Sequence, residues 1–586
     1  MAGHLCGDGR VRPDRPGDAG GSPLGRLGVV VFTGGPLSDV NRVFFERLAR
    51  DPLLRLEAIM VDGYARPRRP LAVRVLRGIR RDGWRWLLFK LVTLTGALAR
   101  AAAALVFDLA HPRAGSDESY EALERTTGVR VHRVADIQSE ESLALIRSLR
   151  PQLGVIVGGR IFSDALITIP EHGTLNIHKR KVPEYRGGGP VGYWEILAGE
   201  RSIGVTIHYA TSHVDAGPVL AEATIPIEEC DTLESLAVKA DITGARLYHD
   251  AIRRVASGDR GAVAQDSSGG TTYRSPGDLD VWRLRRRLRR QARRAMPGAQ
   301  DSPSWLVRGR VLAQYLTLLP WLIHVRRRLV ARHRAPICIF FYHVVANRPV
   351  NHLCLPLEEF AGQMAFLRRY YEIVSLDEAV GRLRSERTGR IAAAITFDDG
   401  YRDNGWAIEY LRYFGIPAAF FVSAGHVREG TRFEHDRRRG FEGALPMGEA
   451  EIRSLAADGF LIGSHGVYHE DFGTLDAAAA EQVLRRSPGM IADMSGRIPE
   501  HFSFPKGQRG VNITRESFEL ATKHFRYVYS AYGGYNFPHA DLRHFRRVGH
   551  AGDVLELAMV MDGYTGFRQC VAGNAWGIAT EALPPF

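Results

Sequence analysis

Apolar and polar positions alternate along this chain in two series, separated by a stretch that keeps neither period. The first series opens at Leu27 with LGVVVFTGG, a continuous apolar run ending in glycines, which predicts a strand buried on both faces. A helical pattern over 40–50 follows, then the apolar run LEAIMVDG (56–63), VHRVADI (131–137), a helical SEESLALIRSLR (139–150) and LGVIVGGRIF (153–162). Strands alternating with helices imply an α/β domain built on a mostly parallel sheet. Residues 256–281 lose the periodicity and gain Gly, Ser and Asp, which predicts the exit from this first domain. The second series runs through ICIFFYHVV (337–345), RIAAAITFDDG (390–400), PAAFFVSA (417–424) and FLIGSH (460–465), with helical patterns between them. Short apolar strands ending in polar residues predict a barrel or an open α/β sheet with its site at the strands' C-terminal ends.

Length and composition narrow this picture. At 586 residues the chain has room for two large domains or three to four smaller ones, and 45% hydrophobic with 24% charged residues excludes wholesale disorder and a polytopic membrane protein. The five cysteines are scattered without a CxxC pair, which excludes a disulfide framework and a thiolate zinc site and fits a reducing cytoplasm. Residues 1–26 hold no apolar run that could serve as a signal peptide and are expected to be a disordered tail.

Charge is concentrated rather than spread. Segments 64–90, 282–294 and 326–334 hold 22 basic residues against one acid, a net +21 within a chain of +13, which leaves −8 elsewhere. No recognisable nucleic-acid module with stacking aromatics accompanies them, so a nucleic-acid partner is not expected. Two of these segments border apolar stretches, Trp84–Phe107 and Trp305–Val330. Lys90 and Arg100 interrupt the first, and the uncharged run of the second is only 15 residues and contains Pro320, too short for a bilayer span of about 20. Two readings stay open: peripheral contact with an anionic membrane at its inner face, or packing on the stretch's own domain.

Two constellations carry chemistry. Asn176 and His178 stand two apart, on one face of an extended strand, and Asp215 follows before Gly217. An amide to hold an oxyanion, an imidazole to move a proton and a carboxylate to accept one suit acyl transfer to an amine. The stretch 131–258 resembles the formyltransferases that use 10-formyltetrahydrofolate, through NIH, Pro183, Tyr185-Arg186-Gly187, WEILAGE, GVTIH and VDAG. The resemblance implies a Rossmann-like N-terminal domain, Asn176, His178 and Asp215 as the catalytic set, and folate bound at the GGRIF loop through Gly159, Arg160 and Ile161. The chain departs from the tRNA-modifying branch: Arg180 stands where Ser is usual, a basic insertion occupies 64–115, and no C-terminal β-barrel pattern follows. VTIHYATSHVDAG looks closest to the sugar-amine formyltransferases.

In the second half, ITFDDGY places Asp398 and Asp399 at the end of an apolar strand, and SHGVYHEDF places His465 and His469 after another. Carboxylates so placed need a partner, and one carboxylate with two imidazoles suits zinc with an open position for water. These motifs, with FSFPKG (502–507), resemble the polysaccharide deacetylases over 335–568. The resemblance implies a distorted (β/α)7 barrel, with Asp398 as general base and Asp399, His465 and His469 as ligands of a divalent metal. Gly466 replaces the family's Ser or Thr. His343 and His550 are both candidates for the general acid.

The sequence thus predicts a disordered tail (1–26), a formyltransferase domain (27–258) with a basic insertion (64–115), a basic linker with an amphipathic helix (259–334), a deacetylase-like domain (335–568) and a C-terminal tail (569–586). The expected protein is a bifunctional cytoplasmic enzyme. It formylates an amine, expected on an amino sugar or its nucleotide or lipid carrier, and hydrolyses an N-acyl amide. The alternatives are a formylation and deformylation pair acting on one protected amine, or an inactive scaffold at the membrane surface.

Overall fold

A computed structural model of the chain describes residues 25–64, 70–111, 119–266, 269–296, 305–385, 387–539 and 542–572. Residues 1–24 and 573–586, expected as tails, lie outside the described residues; positions 569–571 belong to a helix, Tyr564–Val571.

The first half contributes β1 (Leu27–Gly34), β2 (Leu54–Asp62), β3 (Arg130–Val134), β4 (Leu153–Val157), β5 (Thr174–His178), β6 (Tyr185–Gly187), β7 (Ser202–Tyr209), β8 (Val219–Pro226) and β9 (Thr271–Tyr273). Seven of them form one sheet in the order β3-β2-β1-β4-β5-β7-β8. Pairing is parallel from β3 to β5 and antiparallel across β5–β7 and β7–β8. β1 is central, and Val29–Phe32 are fully buried, as its unbroken apolar run requires. The change of strand sense falls at β5, where Asn176 sits opposite His208 and His178 opposite Thr206.

The expected exit at 258 needs correction. β9 pairs with β6, and the helix Asp278–Ala295, here the arginine helix, packs Leu284 and Leu288 against Tyr193 and Leu233. The first domain therefore keeps the chain to about residue 295. Gly, Ser and Asp mark the turns of this return strand, and a three-residue strand is too short to show a period.

The second half closes seven parallel strands into a barrel: Ile337–Tyr342, Ala392–Phe397, Ala419–Val422, Leu461–Ser464, His501–Ser503, Tyr527–Ser530 and His544–Gly549. The first strand pairs with both the second and the last, and a two-residue strand, Glu372–Ile373, pairs beside the second. This is the seven-stranded barrel that the resemblance to the deacetylases implies, and its C-terminal strand ends carry the carboxylates and histidines.

The halves pack on one another. Arg47 donates to the Tyr413 carbonyl (2.7 Å), the Tyr413 hydroxyl donates to the Val40 carbonyl (2.8 Å), and the Cys230 N–H donates to the Asn347 carbonyl (2.8 Å). Part of the basic insertion forms a helical hairpin, Leu71–Asp82 and Trp84–Ala110, whose second arm is here the insertion helix. Its C-terminal end and the linker helix, Trp305–Ala331, meet the barrel at Asp562. That buried carboxylate receives His111 (2.7 Å), Tyr315 (2.5 Å), Arg326 (2.5 Å) and Tyr371 (3.0 Å). The linker is thus not a free connector. It buries Tyr315, Leu319 and Leu322 against Met559 and Tyr564. Among the described residues, no helix is long and apolar enough to cross a membrane. The insertion helix leaves Leu87, Leu88, Leu91, Val92, Leu94 and Leu98 exposed, and the linker helix Leu316 and Trp321.

Candidate active sites

The first site opens at the end of β5. Asp215 sits at φ +50°, a left-handed backbone conformation unfavourable to a non-glycine residue, which turns its carboxylate back toward β5. One oxygen accepts from the Gly187 N–H (3.0 Å) and lies 3.4 Å from His178 Nδ1. The other accepts from Asn176 Nδ2 (3.4 Å) and lies 3.5 Å from His208 Nε2. Asn176 also donates to His208 Nε2 (3.1 Å), whose Nδ1–H is held by the Tyr209 carbonyl (2.9 Å). His178 donates its Nε2–H to the Tyr185 carbonyl (2.8 Å), so the basic nitrogen of the neutral ring is Nδ1, on the Asp215 side.

Charge states follow from these contacts. Burial pulls His178 below the usual histidine range and outweighs the pull of Asp215 in the other direction. For Asp215, burial acts upward, but His208, His178 and the Gly187 N–H together hold the carboxyl below its usual value. The pair rests as a neutral imidazole beside an ionised carboxylate, ready to take a proton from an ammonium.

A cavity of about 830 Å³ joins this trio to the GGRIF loop and is lined by Gly159, Arg160 and Ile161 as well as Tyr273. Gly159, at φ +125°, adopts a backbone that side-chain-bearing residues rarely reach, and lies against Gly34. Arg160 is already engaged, with Nε on Asp62 (2.7 Å), Nη2 on Asp136 and its plane over Tyr64. It braces the loop, while Ile161 is exposed. Arg180 is buried and donates to the Pro190 carbonyl (2.6 Å), which anchors the far end of the Gly187–Gly189 loop.

The second site lies in the barrel mouth. Asp399, at φ +68°, points an oxygen at His465 Nε2 (3.4 Å) and His469 Nε2 (3.3 Å). One donor atom from each of the three residues lies within 4.8 Å of the others. His465 donates Nδ1–H to the Ser503 carbonyl (2.7 Å), which leaves Nε2 as the ligand nitrogen. Both Asp399 oxygens are buried without a hydrogen bond, an arrangement that a bound cation satisfies. Burial pulls His469 down to about 3. Burial pushes Asp399 upward, yet His469, His343 and His465 hold it far below the carboxylate range, so Asp399 is ionised beside a neutral His469. Asp398 is clamped by Arg547 (2.6 and 2.8 Å), which outweighs the effect of burial and keeps it ionised.

Residues 132–252 match the family model described as formyl transferase, and residues 385–528 match that described as polysaccharide deacetylase. Two enzyme domains share this chain. A methionyl-tRNA formyltransferase of Geobacillus sp. (strain WCH70) is 34% identical over 145 residues, which are 25% of this chain and 45% of that protein. The chain thus spans under half the length of this relative. A Streptococcus pyogenes deacetylase, PplD, solved in complex with acetate, covers 39% of this chain and 99% of its own at 15% identity and a TM-score of 0.34. Glycinamide ribonucleotide transformylase 1 from Symbiobacterium toebii covers 41% of this chain and 95% of its own at 19% identity and a TM-score of 0.28.

In the formyltransferase domain the structure brings Asn176, His178 and Asp215 together, and it adds His208 and the Gly187 N–H. His208 stands in GVTIH, where the pairing of β5 with β7 was the missing signal. In the deacetylase domain it brings together Asp398, Asp399, His465 and His469 and adds Arg547 and Ser503. It also adds His435, whose ring lies 4.7 Å from that of His469 and whose Nε2 meets the Tyr401 hydroxyl (2.9 Å). No spacing in the sequence announced Arg547. Gly466 fits its place because its backbone sits at φ +79°, a left-handed conformation that side-chain-bearing residues rarely adopt. Of the two acid candidates, His343 is half-buried within the field of Asp399 and Asp398 and has a buried, unpaired Nδ1, whereas His550 stacks on Tyr342 and is pulled by burial to about 4.

Proposed function

We propose that this chain is a bifunctional enzyme that formylates an amine of an amino sugar from 10-formyltetrahydrofolate and hydrolyses an N-acetyl amide with a divalent metal, zinc by its nitrogen and oxygen donors. One observation carries this reading: each domain assembles a full set of groups, Asn176, His178 and Asp215 in one, Asp398, Asp399, His465 and His469 in the other, without borrowing from its neighbour.

In the formyltransferase domain the acceptor amine loses its proton to the His178 and Asp215 pair. Asn176 Nδ2 leaves its long contact with Asp215 to donate to the oxyanion that forms on the formyl carbon. The Tyr185 carbonyl keeps the imidazole in one tautomer throughout, and the Gly187 N–H keeps Asp215 ionised. The folate supplies the activated formyl group, and His178 would hand the amine's proton to the folate nitrogen from which the formyl carbon departs.

In the deacetylase domain Asp399, His465 and His469 would hold the metal, which supplies a polarised water and a Lewis acid for the amide carbonyl. Asp398 takes the water's proton. Its carboxylate is oriented by both guanidinium nitrogens of Arg547, and each oxygen keeps a lone pair free of that clamp. His343 is placed to return a proton to the departing amine. Deacetylation comes first and exposes the amine that is then formylated, because the reverse assignment would cycle one group on and off.

Mixing the protein with 10-formyltetrahydrofolate and a panel of free and N-acetylated amino sugars, with initiator methionyl-tRNA alongside, and reading products by mass spectrometry tests this. A formylated sugar formed from its acetylated precursor supports it. A formylated methionyl-tRNA alone, or release of formate from formylated sugars without loss of acetyl groups, overturns it.

A further inference from the structure

The two apolar stretches beside the basic segments behave differently in the fold. The linker helix turns Tyr315, Leu319 and Leu322 onto the barrel. The insertion helix does the reverse over most of its length. Trp84, Leu87, Leu91, Leu94, Leu98 and Leu105 follow one another at steps of three, four or seven residues, which sets them in one row along a helix, and they are between 51% and 67% exposed. Leu88 and Val92, also exposed, widen the row on one side to an arc of about 160°. The opposite face is the inner one: Phe89, Thr93 and Gly96 line the groove shared with the arginine helix, where Phe89 meets Trp282 (5.7 Å between ring centroids) and Lys90 pairs with Asp278. At the far end Phe107 packs on Phe366 of the barrel (5.8 Å), and His111 meets Asp562 (2.7 Å). The helix is thus fixed at both ends with its apolar row turned away from the protein. Leucines scattered singly on a surface are ordinary; a continuous row about 30 Å long is not.

The charge around this row has one sign. Residues 64–107 hold ten basic residues and one acid, Asp82. On the first arm of the hairpin Val73, Leu76 and Ile79 are exposed among Arg77 and Arg80, and on the second Arg85, three residues before Leu88 and seven before Val92, borders the row. Arg81 is taken by Asp280 (2.6 Å), whereas among the described residues Arg80 and Arg85 meet no carboxylate within ion-pair distance.

We infer that this helical hairpin seats the enzyme on an anionic lipid bilayer, lying in the plane of the interface with the leucine row among the acyl chains and Arg80 and Arg85 at the headgroup phosphates. A wide apolar arc with Trp at one end and arginines at its border suits a helix that lies on a membrane, and no helix among the described residues can span one. Arginine stems cover apolar surface while their guanidinium groups reach phosphate oxygens. A second copy of the chain fits the row less well. Leu88, Thr95 and Ala97 beside it carry no charge to pair with a partner helix, Lys90 is already held by Asp278, and the arc is wider than a two-helix seam.

Flotation of the full chain with vesicles of about 30% phosphatidylserine in phosphatidylcholine, at about 50 mM and about 500 mM salt, tests this against neutral phosphatidylcholine vesicles. The protein should float with the anionic vesicles at low salt, and binding should fall by about tenfold or more at the higher salt or on neutral vesicles. A Leu91→Asp, Leu98→Asp double variant should weaken binding by about tenfold or more, and an Arg80→Glu, Arg85→Glu double variant should weaken it on the anionic vesicles. All four side chains are exposed, so circular dichroism, melting and both activities toward soluble substrates should stay unchanged. Brominated acyl chains should quench the fluorescence of the wild-type chain more than that of Trp84→Phe, a readout that needs no charged substitution. Absence of flotation at low salt overturns the inference, as does undiminished flotation of a folded leucine variant or equal quenching of the two chains. A dimer in light scattering that the leucine variant dissolves, with no vesicle binding, would assign the row to a second copy of the chain instead.

Discussion

The two sites solve one problem, holding a reactive carboxylate at the end of a strand, in opposite ways. Asp215 and Asp399 both occupy left-handed backbone, at φ +50° and +68°. The first has two protein donors, the Gly187 N–H and Asn176, with a ring nitrogen of His178 and of His208 within 3.5 Å. The second is fully buried with both oxygens unpaired, facing two ring nitrogens that carry lone pairs. A carboxylate already satisfied by the chain can exchange protons with an imidazole unaided. One left without a hydrogen bond beside imidazole nitrogens is satisfied by a bound cation. The comparison teaches that the same residue types become a proton relay or a metal centre according to how many N–H groups the backbone turns toward them.

The sharpest way to break this contrast is metal removal. Dialysis against a chelator should abolish N-acyl hydrolysis and leave formyl transfer untouched, and a His465→Ala, His469→Ala double variant should behave as the chelated protein does; elemental analysis showing full occupancy in that variant would end the assignment. Next in size, Asp398→Asn should lower hydrolysis by about 10²–10⁴-fold while metal content stays whole, which separates the proton acceptor from the ligands. In the other domain Asp215→Asn should lower transfer by about 10²–10⁴-fold, with no dependence on chelator and no effect on hydrolysis.

The smallest effect concerns pH. His550 is pulled by burial to about 4, so the folded barrel keeps it neutral while the unfolded chain protonates near its ordinary value of about 6.5. The unfolded state then binds more protons throughout that window. Stability should fall as pH drops from about 6.5 toward 4, by up to about 1.4 kcal/mol per pH unit for this group. A His550→Asn variant should show a shallower slope in denaturant melts taken across that range, while an unchanged slope would place the acid sensitivity elsewhere.

Particular elements show how far the sequence reached. ITFDDGY and SHGVYHEDF each put their carboxylates and histidines at the end of an apolar strand, and a parallel barrel gathers all such ends at one mouth, so the candidate metal-binding cluster of Asp399, His465 and His469 was legible before any coordinates. NIH and VDAG were legible in the same way, through local motifs. Arg547 was not. It lies in RRVGHAG on the last barrel strand, 149 residues from Asp398, and only barrel closure brings them together. His208 likewise becomes a site residue only through its place opposite Asn176.

The domain boundary failed for a related reason. A return strand of three residues, Thr271–Tyr273, carries no period, and its only mark is the partner it pairs with, Tyr185–Gly187. Periodicity and strand-end motifs belong to contiguous residues, and they settled the α/β class and marked the candidate groups at the strand ends. Tertiary structure alone decided which charges are paired: that Asp398 is clamped, that Asp399 is bare, and that Asp562 ties the insertion and linker helices to the barrel. Those outcomes depend on distances between residues far apart in the chain, which composition and spacing do not encode.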